Sequence, residues 1–419
     1  MTNGRFTVRA RYLFPCDGAP LRNACLTVHN GRIVAVGPAD AANVVDLGQV
    51  AILPGMVNAH THLEFSKLSH PLGSQEMPFS DWIRRVITWR NEQRTDFKDS
   101  DNWRYPAIRV GIRESIVAGV TTLGEIATLP DEPLDRYADL SGVAFLELLG
   151  LRDETHAALI ATAERFAASF PSSRPSRPGL SPHAPYTVSP KLLERIVQLS
   201  AREQLPVAMH LAETRDELEL LDAASGPLFE LLRDLGAWQT GAIPLATRPL
   251  HYLESLAKAH RSLVIHGNYL VHAEIQCLAR HRDRMSIVYC PRTHAYFGHD
   301  RYPLAEMLAA GVRVAIGTDS RASNPDLSLL DELRFVARTH PEVAPDEILR
   351  MGTIAAAAAL GIDARLGSLA VGKHADLVIL PIGDVEPADP HELILMSEAR
   401  PRAVFQAGVQ VCGAGILQA

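Results

Sequence analysis

The stretch "NAHTHLEFS", residues 58–66, carries two histidines two positions apart, His60 and His62, directly after the apolar run "VAILPGMV". Side chains of a β-strand alternate between its two faces, so residues i and i+2 point the same way. A strand that ends here would therefore direct both imidazoles out of one end, with Glu64 close behind. Taken alone, such a pair indicates a metal site and an ordinary polar strand end about equally. The rest of the chain must distinguish between these two interpretations.

Seven further short apolar runs follow, and helical stretches such as residues 189–204 and 302–311 separate them. The eight predicted strands are "GMVNAHTH", "VTTLGEIA", "GVAFLELLG", "GLSPHAP", "PVAMHLAE", "SLVIHGNY", "MSIVYCPR" and "VRVAIGTDS". This alternation predicts parallel pairing through right-handed crossovers, and eight such units close into a (β/α)8 barrel. An open doubly wound sheet is the alternative, but no GxGxxG motif follows the first strand, which disfavours its dinucleotide-binding form.

The two ends of the chain have a different texture from the middle. Both "RFTVRARYLF" near the start and "GSLAVGKHADLVILPI" near the end indicate short strands with turns. We therefore predict a TIM-type (β/α)8 barrel with a small β-sandwich built from both chain termini. The predicted domains are a composite β-sandwich of residues 1–54 and 367–419 and a metal-dependent catalytic barrel of residues 55–366.

Composition excludes several classes of partner. A net charge of -7 gives no reason to expect nucleic acid or an anionic membrane as partner, so a small-molecule substrate is expected. The five cysteines are scattered, and no CxxC occurs, which fits a reducing compartment. No apolar run is long enough to span a bilayer, and no export signal is visible, so we expect a cytoplasmic protein.

Titratable side chains recur where the predicted strands end. Beyond the first pair they are Glu125, Glu147, His183, His210, Glu213, His266, Cys290, Arg292 and Asp319. The carboxyl ends of barrel strands form the active-site face. Imidazoles and one carboxylate suit a divalent metal, which lowers the pKa of its bound water. A carboxylate outside the ligand set, such as Glu213, could then move a proton.

These motifs resemble those of the amidohydrolase superfamily. "HTH" (60–62), "HLAE" (210–213), "IHG" (265–267) and "GTDS" (317–320) come in the family's order, each at a predicted strand end. More narrowly, the chain resembles the mononuclear branch of cytosine/adenosine-type deaminases and chlorohydrolases, whose fifth strand carries H-x-x-E. Residues 367–378 also match that branch's G-x-L-x-x-G-K-x-A-D-L-V.

The resemblance implies a role for each matching residue. The implied metal ligands are His60, His62, His210 and Asp319. Glu213 matches the proton shuttle, and His266 matches a position that either binds the metal or polarises the substrate. Asp319 is also expected to accept a proton, and His183 is expected to contact the substrate. One divalent metal ion is implied, with zinc favoured and iron or manganese left open.

The implied reaction is that of a metal-dependent hydrolase acting on carbon–nitrogen bonds other than peptide bonds. Metal-bound hydroxide would replace the exocyclic amine of a purine-like or other nitrogen heterocycle with oxygen, which makes the chain an aminohydrolase, or deaminase. A chlorohydrolase or cyclic-amide hydrolase on the same scaffold is the alternative. A non-catalytic binding barrel is a second alternative, although it would have no need of Glu213. A homodimer, common among relatives, is left open.

One stretch departs from the family pattern. Many relatives carry Asn-Pro-x-Ser-Asn where this chain has "CPRTHAYFGH", residues 290–299. Arg292 and His294 are therefore predicted to bind substrate and to favour an anionic or carboxylate-bearing one. Glu64 is expected either to bind substrate or to hold a loop. "HTHLEFS" and "PFSDWIRRVITWR" (78–90) also resemble enzymes that deaminate 6-amino-6-deoxyfutalosine, a purine nucleoside carrying a benzoate.

Overall fold

The computed structural model of the 419-residue chain describes residues 4–38, 44–96, 103–129, 141–170 and 176–415. Its strands are β1 (Arg5–Leu13), β2 (Leu21–His29), β3 (Arg32–Gly37), β4 (Val44–Asp46), β5 (Val50–Pro54), β6 (Met56–Thr61), β7 (Val120–Ala127), β8 (Gly142–Leu148), β9 (Ser176–Pro182), β10 (Pro206–Leu211), β11 (Arg261–His266), β12 (Met285–Tyr289), β13 (Val314–Ile316), β14 (Leu377–Pro381), β15 (Ala403–Gln406) and β16 (Val409–Gly413).

The helices separate these strands along the chain. They are α1 (Phe79–Asp96), α2 (Arg104–Val117), α3 (His156–Ala168), α4 (Pro190–Glu203), α5 (Arg215–Ala223), α6 (Pro227–Asp234), α7 (Pro249–Leu256), α8 (His272–Arg280), α9 (Pro291–Tyr296), α10 (Leu304–Ala309), α11 (Leu329–Thr339), α12 (Pro345–Met351), α13 (Ile354–Leu360) and α14 (Glu392–Leu395). None of them is both long enough and apolar enough to cross a membrane, as far as the described residues go.

The strands β6 to β13 form one parallel sheet in which each strand neighbours the next one along the chain. An isolated parallel bridge joins Thr61, at the end of β6, to Asp319, just beyond β13, so the sheet is nearly closed. Every residue of β6, β7 and β12 is buried, as expected for parallel strands that are covered on both faces. The predicted strands and the predicted (β/α)8 barrel are thus confirmed.

A second sheet contains strands from both ends of the chain. Its order is β16-β15-β14-β5-β1-β2-β3, with β4 paired to β1. The two ends join where β14 runs antiparallel to β5, with Ile379 opposite Ile52. These two side chains share one apolar cluster with Val8, Leu26 and Phe405. The predicted joint β-structure of the two termini is therefore confirmed, and its strands are hydrogen-bonded as a single sheet.

Local sequence signals explain where the helices of the barrel begin and end. At the start of α4, the Ser189 side chain accepts a hydrogen bond from the backbone N–H of Leu192, and Pro190 occupies the first helical position. At its end, Gln204 adopts a left-handed conformation with φ 56°. The helix therefore lies within the predicted range 189–204, because a capped start and a left-handed end leave few unsatisfied backbone groups.

By compactness the described chain divides into two units. One comprises Met1–Ala59, Ile112–Leu123 and Leu327–Ala419, and the other comprises His60–Gly111 and Gly124–Asp326. All candidate site residues named above belong to the second unit. The domain boundaries expected from the sequence, 1–54 with 367–419 and 55–366, stay a prediction.

Candidate active site

Histidine and aspartate side chains meet at the carboxyl ends of the barrel strands. His60 lies in β6, His210 lies in β10 and His266 is the last residue of β11. His62 directly follows β6, and Asp319 lies three residues after the end of β13. The ligand atoms that His60, His62 and Asp319 offer lie within 4.8 Å of one another, as do those of His60, His210 and His266. The structure thus brings together the predicted metal ligands and the predicted neighbour His266.

Two members of this cluster have unusual backbone conformations. His266 has φ 67° and Asp319 has φ 54°, in the left-handed region that residues other than glycine rarely adopt. Specific hydrogen bonds hold both residues: the Tyr302 hydroxyl donates to the His266 carbonyl at 2.9 Å, and the Asp319 N–H donates to the His60 carbonyl at 3.1 Å. Strained positions of this kind persist where the surrounding structure fixes them, and they are concentrated at functional sites.

Neighbouring groups orient the candidate ligands. The His183 carbonyl lies 2.9 Å from Nδ1 of His210 and accepts its hydrogen bond, which leaves Nε2 of His210 with its lone pair. That Nε2 faces Nε2 of His62 at 3.3 Å. Asp319 is oriented in a similar way, because the Ser323 hydroxyl donates a hydrogen bond to its Oδ2 at 3.0 Å. Partners of this type fix the tautomer and direction of metal-binding side chains.

The donor set fits a divalent metal ion. Burial, together with the neighbouring His60, holds the pKa of both His62 and His210 well below its ordinary value, so both rings are neutral at pH 7. Tetrahedral zinc, with Zn–N bonds of about 2.0–2.1 Å, places its ligand atoms about 3.3 Å apart. The Nε2–Nε2 distance of 3.3 Å matches this spacing. The residues present can therefore hold zinc or a similar cation.

Asp319 supplies the negative charge of the cluster. Burial by itself would raise the pKa of its carboxyl group, but the neighbouring imidazoles of His60, His62 and His266 bring that pKa below the ordinary value. Oδ1 of Asp319 lies 3.7 Å from Nε2 of His60 and 3.7 Å from Nε2 of His62. Asp319 is therefore an ionised carboxylate in position to share a cation with these imidazoles.

Glu213 lies beside the cluster as a second carboxyl group of different character. Its Oε1 is 3.4 Å from Nε2 of His266. Burial, together with the negative charges of Asp319 and Glu217, raises the pKa of Glu213 well above its ordinary value. A carboxyl group whose environment favours the protonated form is suited to accepting and returning a proton.

Glu217 is a positioning residue that the sequence reasoning did not single out. Its carboxylate accepts hydrogen bonds from the backbone N–H groups of Ala212, at 2.8 Å, and Glu213, at 3.0 Å. It thereby holds the turn that follows β10, where Ala212 has φ 52°. Burial raises the pKa of Glu217 to about 7. The available signal was the spacing Thr214-x-x-Glu217, which is typical of a capping box at a helix start.

A cavity of about 260 Å³ opens onto the cluster. Its polar lining includes His62, His210, Glu213, His266 and Asp319. His183 also lines it, as expected of a residue that contacts substrate, and its Nδ1 lies 2.8 Å from the Thr187 hydroxyl. Burial, with a smaller effect from Arg90, lowers the pKa of His183 to about 4, so this imidazole is neutral at pH 7.

The two glutamates at the ends of β7 and β8 have different surroundings. Glu125 accepts from the backbone N–H of Leu63 at 3.1 Å, so it holds the turn that carries the histidine pair. Glu147 lines the cavity instead, and burial raises the pKa of its carboxyl group. Strand position alone does not separate these two roles.

Arg292 and His294 do not line the cavity. Arg292 forms an ion pair with Asp326 at 2.7 Å, and the His294 ring packs against Tyr289 and Tyr302 with ring centroids 5.6 and 5.7 Å away. Contact with an anionic substrate, predicted from these two residues, is therefore not supported by their placement. The reason is physical: a carboxylate further along the chain already neutralises the guanidinium.

Glu64 is likewise not among the described residues that line the cavity. It is buried between two guanidinium groups, with Oε2 at 2.7 Å from Nε of Arg104 and Oε1 in contact with Arg90. Burial would raise its pKa, but these two cations lower it. Of the two roles expected for Glu64, the arrangement fits the one that holds a loop, since the carboxylate anchors the turn after His62.

Comparison with known proteins agrees with this geometry. The sequence model described as "Amidohydrolase family" matches residues 51–410. A 5-methylthioadenosine/S-adenosylhomocysteine deaminase of Desulforudis audaxviator is 30% identical over 403 residues, which cover 90% of this chain and 84% of the relative.

Two solved structures share the fold. An adenosine deaminase from Xanthomonas campestris with bound zinc has a TM-score of 0.77 and 25% identity, covering 97% of this chain and 93% of that one. Helicobacter pylori aminofutalosine deaminase, in complex with methylthio-coformycin, has a TM-score of 0.81 and 24% identity, covering 97% and 100%. The expected resemblance and the expected enzyme class, a metal-dependent hydrolase of carbon–nitrogen bonds, are thus confirmed. The chain belongs to the amidohydrolase family.

Proposed function

We propose that this chain is a zinc-dependent deaminase that replaces the exocyclic amine of a purine nucleoside with oxygen and releases ammonia. The observation that carries the proposal is the position of Glu213, a carboxyl group with a raised pKa, 3.4 Å from His266 and beside the histidine–aspartate cluster. The names of the curated relative and of the Xanthomonas enzyme support an adenine nucleoside as the class of substrate.

Each residue of the site has a role in this proposal. Four side chains would hold the metal, namely His60, His62, His210 and Asp319. When bound, the metal supplies a water molecule whose pKa is low enough for attack near neutral pH. Glu213 takes up a proton at its carboxyl group and delivers it to the departing amine, and His266 hydrogen-bonds the oxygen that forms. His183 contacts the bound ring from the lining of the cavity.

The shuttle also separates a deaminase from a chlorohydrolase. An amine departs as ammonia only after it gains a proton, whereas chloride leaves as an anion without one. A carboxyl group with a raised pKa beside the cluster, as Glu213 has, is therefore of direct use for removing an amine. Zinc is proposed over iron or manganese because it accepts imidazole and carboxylate ligands in this spacing and because the Xanthomonas structure contains it.

A matched pair of substrates tests the proposal. The zinc-loaded protein is incubated with adenosine nucleosides and with the corresponding 6-chloropurine nucleosides, and ammonia and chloride are measured separately. We expect the release of ammonia from at least one adenosine nucleoside. Chloride release without any ammonia would assign the chain to the rival chlorohydrolase class, and binding without either product would indicate a non-catalytic barrel.

A further inference from the structure

We propose that the cavity selects nucleosides whose substituent on the sugar is apolar and uncharged, such as a methylthio group. It disfavours nucleosides whose substituent carries a carboxylate or a zwitterionic amino-acid group. This inference rests on the proposed deaminase function and concerns the part of the substrate that lies away from the reacting carbon. The curated relative is named for both kinds of compound: the sulfur of 5-methylthioadenosine carries a methyl group, whereas the sulfur of S-adenosylhomocysteine carries a charged amino-acid chain.

One wall of the cavity consists of aliphatic side chains from α6 and the segment after it. These are Leu228, Leu231, Leu232, Leu235 and Ala237. α6 begins at Pro227 after Gly226, and its apolar residues lie on one face, with Leu228, Leu231 and Leu232 buried. A face of this composition can bury hydrocarbon or sulfur, but it offers no hydrogen bond to a charged group.

A second wall comes from α1 and is aromatic and aliphatic. It consists of Phe79, Trp82, Ile83, Val86 and Ile87. The rings of Phe79 and Trp82 stack with centroids 5.7 Å apart, and the Trp82 indole N–H donates to the Ala322 carbonyl at 3.1 Å. The polar atom of Trp82 is therefore already engaged, and its ring presents apolar surface. The two walls together make an apolar compartment, defined by the ten side chains named here and in the preceding paragraph.

The charged groups of the cavity argue against a negatively charged substituent. Among the described lining residues there is one arginine, Arg90, and its guanidinium already forms an ion pair with Glu64. Glu147 adds a carboxyl group to the same lining. A carboxylate of the substrate would thus lose its water and meet no uncommitted cation among the lining residues that the structure describes.

The expected discrimination follows from the contacts. One methylene group placed in an apolar pocket changes kcat/KM by about 10-fold or more, and a buried charge without a partner opposes binding further. We therefore expect kcat/KM for 5′-methylthioadenosine to exceed that for S-adenosylhomocysteine by at least about 10-fold. The two compounds share the adenine ring and the ribose, so their ratio reports on how the cavity receives the substituent on the sugar.

The test uses the zinc-loaded protein with both nucleosides and two measurements. Ammonia release gives kcat/KM, and calorimetric titration of the Glu213→Gln variant, whose turnover is greatly slowed, gives the dissociation constants. Tighter binding and faster turnover of 5′-methylthioadenosine support the inference. Equal or better binding of S-adenosylhomocysteine would overturn it, even if ammonia is released. Tighter binding of 5′-methylthioadenosine without any release of ammonia would overturn the proposed function but leave the inferred selectivity of the cavity intact.

A matched pair of variants locates the effect in the compartment. Leu235 lines the cavity and is 47% exposed, so Leu235→Lys adds an ammonium at its rim with little risk to folding. Leu245 is 66% exposed and is not among the lining residues, so Leu245→Lys is the control. We expect Leu235→Lys to reduce the preference for 5′-methylthioadenosine, measured as the ratio of the two kcat/KM values, by about 10-fold. Leu245→Lys should leave this ratio unchanged. An unchanged preference in both variants would remove the compartment as the cause.

Discussion

At the scale of single residues, two neighbouring carboxyl groups of the site have opposite electrostatic characters. Asp319 is surrounded by imidazoles that lower its pKa despite its burial, whereas Glu213 faces other carboxylates that add to the effect of burial and raise its pKa. A pair of titratable groups whose environments separate their pKa values is a common basis for assigning acid and base roles. On this basis we expect Asp319 to bind the cation and Glu213 to carry the proton.

The role of Glu213 predicts a specific loss. Glu213→Gln preserves the shape of the side chain but cannot carry a proton, so we expect kcat to fall by about 10²–10⁴-fold while the metal content stays near that of the wild type. The exposed Glu219 in α5, the helix that follows Glu213, supplies the control, since Glu219→Gln should retain full activity. Metal analysis and an ammonia assay measure the two quantities, and an active Glu213→Gln enzyme would refute the shuttle.

Ser323 predicts a smaller and separable effect. Its hydroxyl donates to Oδ2 of Asp319 at 3.0 Å and so orients the ligand. Ser323→Ala should weaken metal binding by about 10–100-fold without changing the fold. Competition with a chelator of known affinity measures this change. An affinity equal to that of the wild type would show that Asp319 needs no such support.

At the scale of elements, the turn between β6 and α1 depends on a buried ion triad. Glu64 lies between Arg90 and Arg104, and Arg104 is itself buried. Breaking a buried pair leaves a charge without compensation, so we expect Arg104→Leu to lower the free energy of unfolding by about 3–5 kcal/mol. Arg202→Ala, which removes an exposed pair with Glu164, should change it by less than about 1 kcal/mol. Denaturant titration distinguishes these values, and equal losses would contradict the assignment.

The same triad predicts a dependence of stability on pH. Because the folded protein lowers the pKa of Glu64, the stabilisation is complete above the ordinary glutamate pKa of about 4.3 and is lost as the pH falls through the lowered value. Glu64→Gln should therefore be less stable than the wild type at pH 7, with a difference that shrinks in acid. Unfolding curves from pH 7 to pH 3 test this, and a difference that grows toward low pH would contradict the sign.

At the scale of the whole molecule, the barrel and most of the metal cluster follow from the sequence. Runs such as "MSIVYC" are mostly apolar because both faces of a parallel strand are covered, and a titratable residue at the end of each run marks the open rim. The candidate ligands were therefore visible as a pattern of strand ends.

Residues whose role depends on a distant partner were not visible in this way. Arg292 was expected in the cavity, but it forms an ion pair with Asp326. The sequence does not reveal that these two side chains lie close together. The wall formed by α6 was missed for the same reason, since an amphipathic helix shows which residues are buried but not what they face. Loop and helix placement around the rim thus required the structure.

Metal removal should also affect the whole molecule. The proposed ligands come from β6, β10 and the segments after β6 and β13, so a bound ion would connect distant parts of the chain. A metal that binds the native state at 1,000 times its dissociation constant adds about 4 kcal/mol to stability. Chelation should therefore lower the melting temperature, and zinc should restore it. A melting temperature indifferent to both treatments would speak against a resident metal.

The central claim is that the histidine–aspartate cluster holds one divalent ion and that this ion enables the release of ammonia. Titrating the metal-free protein with zinc, while ammonia release from an adenosine nucleoside is followed, tests both parts together. The account predicts a rate that rises linearly and reaches its plateau at one zinc ion per chain. A rate that needs no metal, or that keeps rising to two ions per chain, would contradict it.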